Sequence, residues 1–166
     1  MKLKYTNSMV TFSEIPNEIS LCVNISGCPI HCEGCHSKYL WEDIGKPLTI
    51  KAINTLIKKN EGITCLCLMG GDQNEKKIVE ICKHIKSNYF LDNNPSDLKT
   101  AWYSGKHNFS PLIQANLQYF DYIKLGPYIE ALGPLTSKIR LSIKKALRNI
   151  IIKKKVLSLR PIKGTC

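Results

Sequence analysis

Three cysteines, Cys28, Cys32 and Cys35, lie in one short segment with the spacing C-x3-C-x2-C. Cysteine thiolates are the usual protein ligands of iron–sulfur clusters. Three thiolates on one loop can hold three corners of a cubane [4Fe–4S] cluster and leave the fourth iron without a protein ligand. An iron with an open position can bind a small molecule and act on it, as an open zinc site does. The spacing therefore predicts a cluster with one open iron.

A structural zinc site is the alternative interpretation of the same loop. His31 and His36 flank Cys32 and Cys35, and either imidazole could supply the fourth ligand that zinc prefers. Structural zinc sites usually show two paired half-sites, and no second cysteine pair follows at zinc-finger distance. We therefore favour the cluster and expect both histidines near the ligands or at the surface.

Length and composition predict a single cytoplasmic domain. A chain of 166 residues can bury a sizeable core, and its hydrophobic content is ordinary. No apolar run approaches the roughly 20 residues that span a bilayer, and residues 1–5 lack the apolar segment of a signal peptide. In a reducing compartment the eight cysteines indicate metal or redox ligands rather than disulfides.

The net charge of +11 is concentrated at the end of the chain. Residues 131–166 contain ten Lys or Arg and no Asp or Glu, whereas the preceding part is nearly neutral. We expect a domain over 1–135 and a basic, helical tail over 136–166. Apolar residues recur in this tail at near-helical spacing, at Ile139, Ile143, Leu147, Ile150 and Ile151.

Strands alternating with helices predict a parallel α/β sheet with flanking helices. We expect strands over 20–26, 63–69, 99–103 and 122–125, and helices over 50–60, from 75 onwards and over 111–117, the first two capped by Thr49 and Asn74. In such sheets ligands bind beyond the carboxyl ends of the strands. The cysteine loop and residues 70–72, 104–105 and 126–127 all follow strands, so they should form the rim of one site.

The turn Gly70-Gly71-Asp72 is the second feature that could bind a ligand. Two glycines allow a ligand to approach the backbone closely. A carboxylate beside exposed amides can meet an ammonium group. Gly-Gly turns are common, so this signal gains its value from lying about one βα unit beyond the cysteine loop.

Together these segments resemble the activating proteins of anaerobic ribonucleoside-triphosphate reductase, which are radical S-adenosylmethionine enzymes. The resemblance spans roughly residues 1–135 and is carried, in order, by residues 12–16, 24–37 with Trp41, 70–72, 102–105 and 121–128. The sequence departs from the family pattern at Gln73, where proline is frequent. It departs again after Pro134, where the basic tail replaces a Ser-(Ser/Thr)-Asn-Gln segment.

The resemblance implies a small, incomplete, TIM-like radical S-adenosylmethionine barrel. It implies cluster ligation by Cys28, Cys32 and Cys35, and cofactor contacts from Gly34, His36, Gly70, Gly71, Asp72 and Ser104. Residues that could form the rim of the site are Tyr103, Asp121, Lys124 and Tyr128. No general base, nucleophile or triad is needed, because the cofactor carries the difficult chemistry.

The resemblance also implies an oxidoreductase activity. An electron from the reduced cluster, supplied by a donor such as flavodoxin, would cleave S-adenosylmethionine to methionine and a 5′-deoxyadenosyl radical. That radical would remove a hydrogen from a glycine of the large chain of the reductase. Two alternatives stay open. One is a different enzyme of the superfamily, such as a formate-lyase-type activase or a modifier of small molecules. The other is a zinc protein that binds nucleic acid through its tail, although no nucleic-acid motif is present and no membrane binding is expected.

The remaining cysteines and aromatic residues have simpler interpretations. Cys65 and Cys67 share one face of a strand and could form a redox pair or bind a second cluster, but buried side chains are the favoured interpretation. Cys22 and Cys82 also lie in apolar patterns. Trp102, Tyr103 and Tyr128 could line the site or simply pack at strand ends, and Asp121 could form a surface ion pair with Lys124.

Overall fold

The chain forms an open seven-stranded sheet with helices on one face. The computed structural model describes residues 2–89 and 98–129 and, for the backbone alone, 150–152. The strands are β1 (Lys4–Thr11), β2 (Ser20–Ile25), β3 (Lys46–Pro47), β4 (Cys65–Met69), β5 (Lys99–Ser104), β6 (Tyr122–Leu125) and β7 (Ile150–Ile152). The helices are α1 (Ile50–Lys59), α2 (Glu75–Asn88) and α3 (Pro111–Gln114).

The strands lie in the order β3-β1-β2-β4-β5-β6-β7. The four central strands, β2, β4, β5 and β6, are parallel to one another, as the sequence predicts. The outer strands are antiparallel to their neighbours and make the sheet mixed, which the sequence pattern does not predict. Because β3 and β7 form its edges in the described residues, this sheet is open and the barrel implied by the resemblance is not shown.

The helices cover one face because each βα unit steps to the next strand in the same direction. Crossovers between parallel strands are right-handed, so three successive steps in one direction place their helices on the same side. The main core lies between this face and the helices. Its buried members include Leu21, Val23, Leu66, Leu68 and Trp102 from the sheet and Ile53, Ile78, Ile81, Ile85 and Ile113 from the helices.

Side-chain caps begin the helices where the sequence predicts them. The hydroxyl of Thr49 accepts a hydrogen bond from the Ala52 amide (3.1 Å), and the side-chain oxygen of Asn74 accepts one from the Lys77 amide (3.1 Å). Each bond satisfies an amide that has no partner within the helix. The two caps therefore fix where α1 and α2 leave the loops that carry the candidate site.

The opposite face of the sheet carries a second, smaller core that contains three cysteines. Cys22, Cys65 and Cys67 are almost fully buried there with Ile15 and Ala101. A hydrogen bond with Cys22, together with burial, raises the pKa of Cys67, and burial raises that of Cys65. Burial of Cys22, Cys65 and Cys67, and of Cys82 on the helix side, confirms the simpler interpretation of these residues.

Most of the predicted tail helix, over residues 136–166, lies outside the described residues. The part that the structure describes, Ile150–Ile152, is not helical: it forms β7 and pairs with β6. The apolar spacing alone favours a helix, but the open edge of β6 offers backbone partners that a sequence pattern does not reveal. No helix of the described residues is long and apolar enough to cross a membrane.

Glu18 joins the amino ends of the central strands. It is buried, and its carboxylate accepts hydrogen bonds from Thr64 and Tyr122 (2.7 Å each) and from the ammonium group of Lys99. Burial raises the pKa of Glu18, but the hydrogen bonds from Lys99, Thr64 and Tyr122 outweigh this effect, so its pKa is lowered from the ordinary value. The ionised form is therefore the one that stabilises the fold.

This network predicts a loss of stability in acid. A carboxylate whose pKa is lower in the folded state contributes stability above its unfolded pKa, and the contribution is lost as pH falls through the folded pKa. Glu18→Gln should lower the free energy of unfolding at neutral pH by about 2 kcal/mol and weaken its dependence on pH below about 5. Denaturant unfolding between pH 3 and pH 7 measures both effects. Glu80→Gln, at an exposed ion pair with Lys77, is the matched control and should change neither.

Candidate metal centre

The cysteine loop leaves the carboxyl end of β2 and is closed at its base by backbone hydrogen bonds. The amide of Gly27 donates to the carbonyl of Glu42 (2.9 Å), and the amide of Cys28 donates to that of Leu40 (2.9 Å). These two bonds join the two ends of the loop. The segment between them is therefore a closed loop beyond the carboxyl end of β2.

Within the loop the backbone curls tightly. His31 and Gly34 have positive φ angles of 51° and 69°, and the amide of Cys35 donates to the carbonyl of Cys32 (3.2 Å). Left-handed backbone reverses the chain direction within a few residues, and glycine adopts it without a steric penalty. Gly34 therefore allows the tight turn between Cys32 and Cys35.

The three loop cysteines differ from the other described cysteines in their access to solvent. Cys28, Cys32 and Cys35 are free and partly exposed, whereas the remaining cysteines in the described residues are buried. Partial burial raises the pKa of the Cys28 thiol. Metal binding requires thiolates, so an incoming metal must displace these protons.

The neighbouring histidines are engaged with aromatic rings. His31 stacks on Trp41 with ring centroids 4.6 Å apart, and His36 meets Tyr128 edge-on at 5.0 Å. In residues 2–89 and 98–129, no three His, Cys, Asp or Glu side chains are grouped so that they could hold a single metal ion. A cubane cluster has no such requirement, because each thiolate binds a different iron. The three loop thiols are donors of the kind that an iron–sulfur cluster uses.

The glycine turn after β4 lies against the helix core and β5. Gly70 and Gly71 have φ angles of 95° and 91°. The amide of Gly70 donates to the carbonyl of Tyr103 (2.9 Å), and its carbonyl accepts from the indole of Trp102 (2.8 Å). A Cβ on Gly71 would lie only 2.6 Å from the Cδ1 of Ile78. Glycine is thus required here by both backbone conformation and space.

Asp72 joins the ends of β4 and β5. Its buried carboxylate accepts hydrogen bonds from the hydroxyl of Ser104 and from the amide of Gly105 (3.1 Å). A carboxylate has about four acceptor positions, so these two bonds do not exhaust its capacity. Ser104 and Gly105 therefore fix the orientation of the Asp72 carboxylate, which is expected to meet an ammonium group.

Two contacts seat the cysteine loop above these strand ends. Ile30 packs closely on Gly105: a Cβ added to Gly105 would lie 2.7 Å from the Cγ1 of Ile30. The side-chain amide of Gln73 donates to the carbonyl of Ser26 (2.6 Å), just before the loop begins. The cysteine loop, the glycine turn and the end of β5 thus meet at one rim, as predicted from their places after strands.

Three buried side-chain polar atoms in the described residues have no hydrogen-bond partner; one, the hydroxyl of Ser20, lies at the start of β2, and the other two lie beside the cysteine loop. The indole nitrogen of Trp41 and the side-chain oxygen of Gln73 are buried and have no hydrogen-bond partner in the described residues. Trp41 stacks on the loop residue His31, and the Gln73 side chain lies against Gly27. Such groups normally find partners, so unsatisfied atoms beside the loop are consistent with a bound group there.

The end of β6 completes the rim. The amide of Tyr128 donates to the Sγ of Cys32 (3.3 Å), and the amide of Gly126 donates to the carbonyl of Lys106 (2.8 Å). Tyr128 therefore contacts a predicted cluster ligand with its backbone and His36 with its ring.

The other predicted rim residues lie at different ends of their strands, Tyr103 and Lys124 near the carboxyl ends of β5 and β6 and Asp121 just before β6. Asp121 lies at the amino end of β6, where its carboxylate accepts from the Thr100 amide (2.9 Å) and pairs with Lys86 rather than with Lys124. The ammonium group of Lys124 lies 4.7 Å from the ring centroid of Tyr103, whose hydroxyl donates to the carbonyl of Glu14 (2.7 Å). Trp102 belongs to the helix-side core, although its indole reaches the glycine turn.

Ile30 holds the loop against the end of β5, a role that the sequence pattern does not reveal. It is the only aliphatic side chain between Cys28 and Cys35. An isolated apolar residue in a polar, glycine-containing loop is a signal that the loop packs on something, but the sequence does not say that the contact is Gly105.

A family model described as a 4Fe-4S single cluster domain matches residues 19–148, most of the chain. The match includes the cysteine loop, the glycine turn and the ends of β5 and β6. Neither the curated proteins nor the solved structures gave a match.

The packing of Ile30 on Gly105 predicts how the loop can be displaced. Gly105→Ala should push Ile30 away, destabilise the protein by about 1–3 kcal/mol and reduce the iron retained after anaerobic reconstitution. Iron and sulfide analysis, with denaturant unfolding of the metal-free protein, measures both effects. Adding Ile30→Ala removes the two closest atoms and should restore iron retention; if it does not, the contact does not position the loop.

The hydrogen bond from Tyr128 to Cys32 predicts an effect on reduction potential. Hydrogen bonds to cluster sulfurs help to set this potential, because they stabilise the more negative, reduced state. Tyr128→Pro removes the amide hydrogen and should make the potential of the reconstituted cluster more negative. Tyr128→Phe keeps the amide and is the control. A redox titration followed by EPR provides the measurement, and equal potentials in the two variants would contradict the prediction.

Proposed function

The chain belongs to the family of 4Fe-4S single cluster domains, and from that premise we propose that it is a radical S-adenosylmethionine activase. In this proposal it binds one [4Fe–4S] cluster through Cys28, Cys32 and Cys35, and binds S-adenosylmethionine at the open iron. Its product would be a glycyl radical on anaerobic ribonucleoside-triphosphate reductase. A donor such as flavodoxin would supply the electron.

The number of available thiols carries this proposal. The loop offers three cysteines, and the other cysteines in the described residues are buried in the two cores. A cluster held by three thiolates retains one iron with an exchangeable position. Iron–sulfur proteins that only transfer electrons usually bind all four irons, so three ligands favour a catalytic role.

The rim beside the loop supports binding of a small polar molecule. Gly70 and Gly71 present backbone without side chains, and Asp72 supplies a carboxylate whose orientation is fixed by Ser104 and Gly105. A fixed carboxylate favours an ammonium group, and fixing it before binding lowers the entropy cost of association. The amino acid part of S-adenosylmethionine has the matching charge.

When bound, the reduced cluster would supply the electron that cleaves S-adenosylmethionine to methionine and a 5′-deoxyadenosyl radical. The protein residues have positioning roles. Ile30 and Gln73 hold the loop over the strand ends, the Tyr128 amide contacts a ligand sulfur, and Asp72 orients the cofactor. No proton transfer by a side chain is required in this scheme.

The open sheet favours a protein as the hydrogen donor. The described strands do not close around the rim, so a glycine-containing loop of another chain could approach it from outside. The reductase large chain is the partner that the sequence resemblance implies, and the basic residues of 131–166 could contact an acidic surface on it.

The decisive experiment is anaerobic reconstitution followed by EPR of the reduced protein with and without S-adenosylmethionine. We expect about four irons per chain and a spectrum that changes when the cofactor binds. Methionine and 5′-deoxyadenosine should then form, and an EPR glycyl-radical signal should appear on added reductase. Cofactor cleavage without that signal would indicate a different enzyme of the superfamily. One zinc and no iron would overturn the proposal.

Cys32→Ala tests the ligand assignment. Removing one of three ligands should abolish both the cofactor-dependent EPR change and the cleavage of S-adenosylmethionine. Cys65→Ala is the matched control, because this cysteine is buried in the smaller core at the amino end of β4, and its loss should affect stability only. Cleavage that persists in Cys32→Ala would show that another residue binds the cluster.

A further inference from the structure

Strand β1 has an outer edge that is only partly covered. Strand β3 pairs with Lys4 and Tyr5 alone, and a bulge in the ladder with β2 falls between Tyr5 and Asn7. From Asn7 to Thr11 no strand of the described residues pairs with this edge. Its outward-facing backbone amides and carbonyls are therefore available to another extended segment.

Apart from the bulge near Tyr5, this edge lacks the usual features that protect exposed strands. Natural sheets protect their edges with charged residues, prolines or very short strands. Residues 6–11 contain no charged residue and no proline, and Met9 and Val10 are exposed. An unprotected edge next to exposed apolar side chains is a site where another chain can add a strand.

A groove of about 480 Å³ runs beside the edge, between β1 and α1. Tyr5 to Ser8 form its sheet side, and residues of α1, including Thr55 and Leu56, form its helix side. A segment that paired with β1 would therefore place every second side chain against or near this groove, because strand side chains alternate.

The groove is basic. Lys46, Lys51 and Lys59 line it, and no Asp or Glu does. These lysines are exposed, and none forms an ion pair within the described part of the chain. Three unpaired positive charges around one groove favour a partner that carries carboxylates.

We propose that this groove and the free edge of β1 bind an extended, acidic segment of a partner protein. Backbone hydrogen bonds to residues 7–11 would hold the segment, and its alternate carboxylates would meet Lys46, Lys51 and Lys59. Residues 131–166 of this chain are a poor occupant, because they carry ten positive charges and no negative ones. The proposal does not depend on the activity proposed above.

The test measures binding of a fluorescein-labelled peptide in which glutamate alternates with valine, using the full-length protein without added S-adenosylmethionine. Fluorescence anisotropy should show saturable binding that weakens as salt is added. Hydrogen exchange should slow at residues 7–11. A peptide with lysine in place of glutamate, and one with alternate N-methylated amides, should each bind at least about tenfold more weakly.

Charge reversal in the groove provides the matched comparison. Lys51→Glu with Lys59→Glu should weaken binding of the acidic peptide by about tenfold or more. Lys58→Glu with Lys76→Glu makes the same charge change at exposed positions outside the groove and should have little effect. Circular dichroism checks that both variants fold.

Three outcomes would overturn the proposal. The first is no saturable binding of the acidic peptide. The second is equal binding of the lysine peptide or equal loss in both charge-reversed variants, which would indicate non-specific attraction. The third is a concentration-dependent dimer that protects residues 7–11 without peptide, because a second copy of the chain would then occupy the edge.

Discussion

The parallel ladder formed by β2, β4, β5 and β6 is the constraint on which the candidate site depends. The carboxyl ends of parallel strands in register lie side by side, so loops far apart in sequence meet there. Buried carboxylates stabilise this arrangement at both ends of the strands, Glu18 at the amino ends and Asp72 at the carboxyl ends. Each is buried only because neighbouring donors satisfy it, so a shift in strand register would leave a carboxylate without partners.

Much of the central fold could be predicted because its signals are local. The caps at Thr49 and Asn74 and the apolar spacing of α2 depend only on neighbouring residues, and the structure agrees with them. Strands β1 and β7 could not be predicted in the same way. The sequence of β1 is largely polar, and its conformation depends on pairing with β2, a long-range contact that no local pattern encodes.

The same distinction applies to the candidate site. The spacing of Cys28, Cys32 and Cys35 identifies a metal-binding loop from sequence alone, and the rule for parallel sheets predicts that Gly71 and Ser104 lie near it. Sequence does not predict which side chains connect these parts. The contacts of Ile30 with Gly105 and of Tyr128 with Cys32 join residues 75 and 96 positions apart, and they depend on the exact course of the loops.

The contacts that shape the cysteine loop are separate from the atoms that would bind a metal. The backbone bonds of Gly27 and Cys28, and the packing of Ile30 on Gly105, do not involve a thiol sulfur. These contacts can therefore hold the loop whether or not its thiols bind a metal. The course of the loop and the binding of the metal depend on different atoms, so a substitution can disturb one without the other.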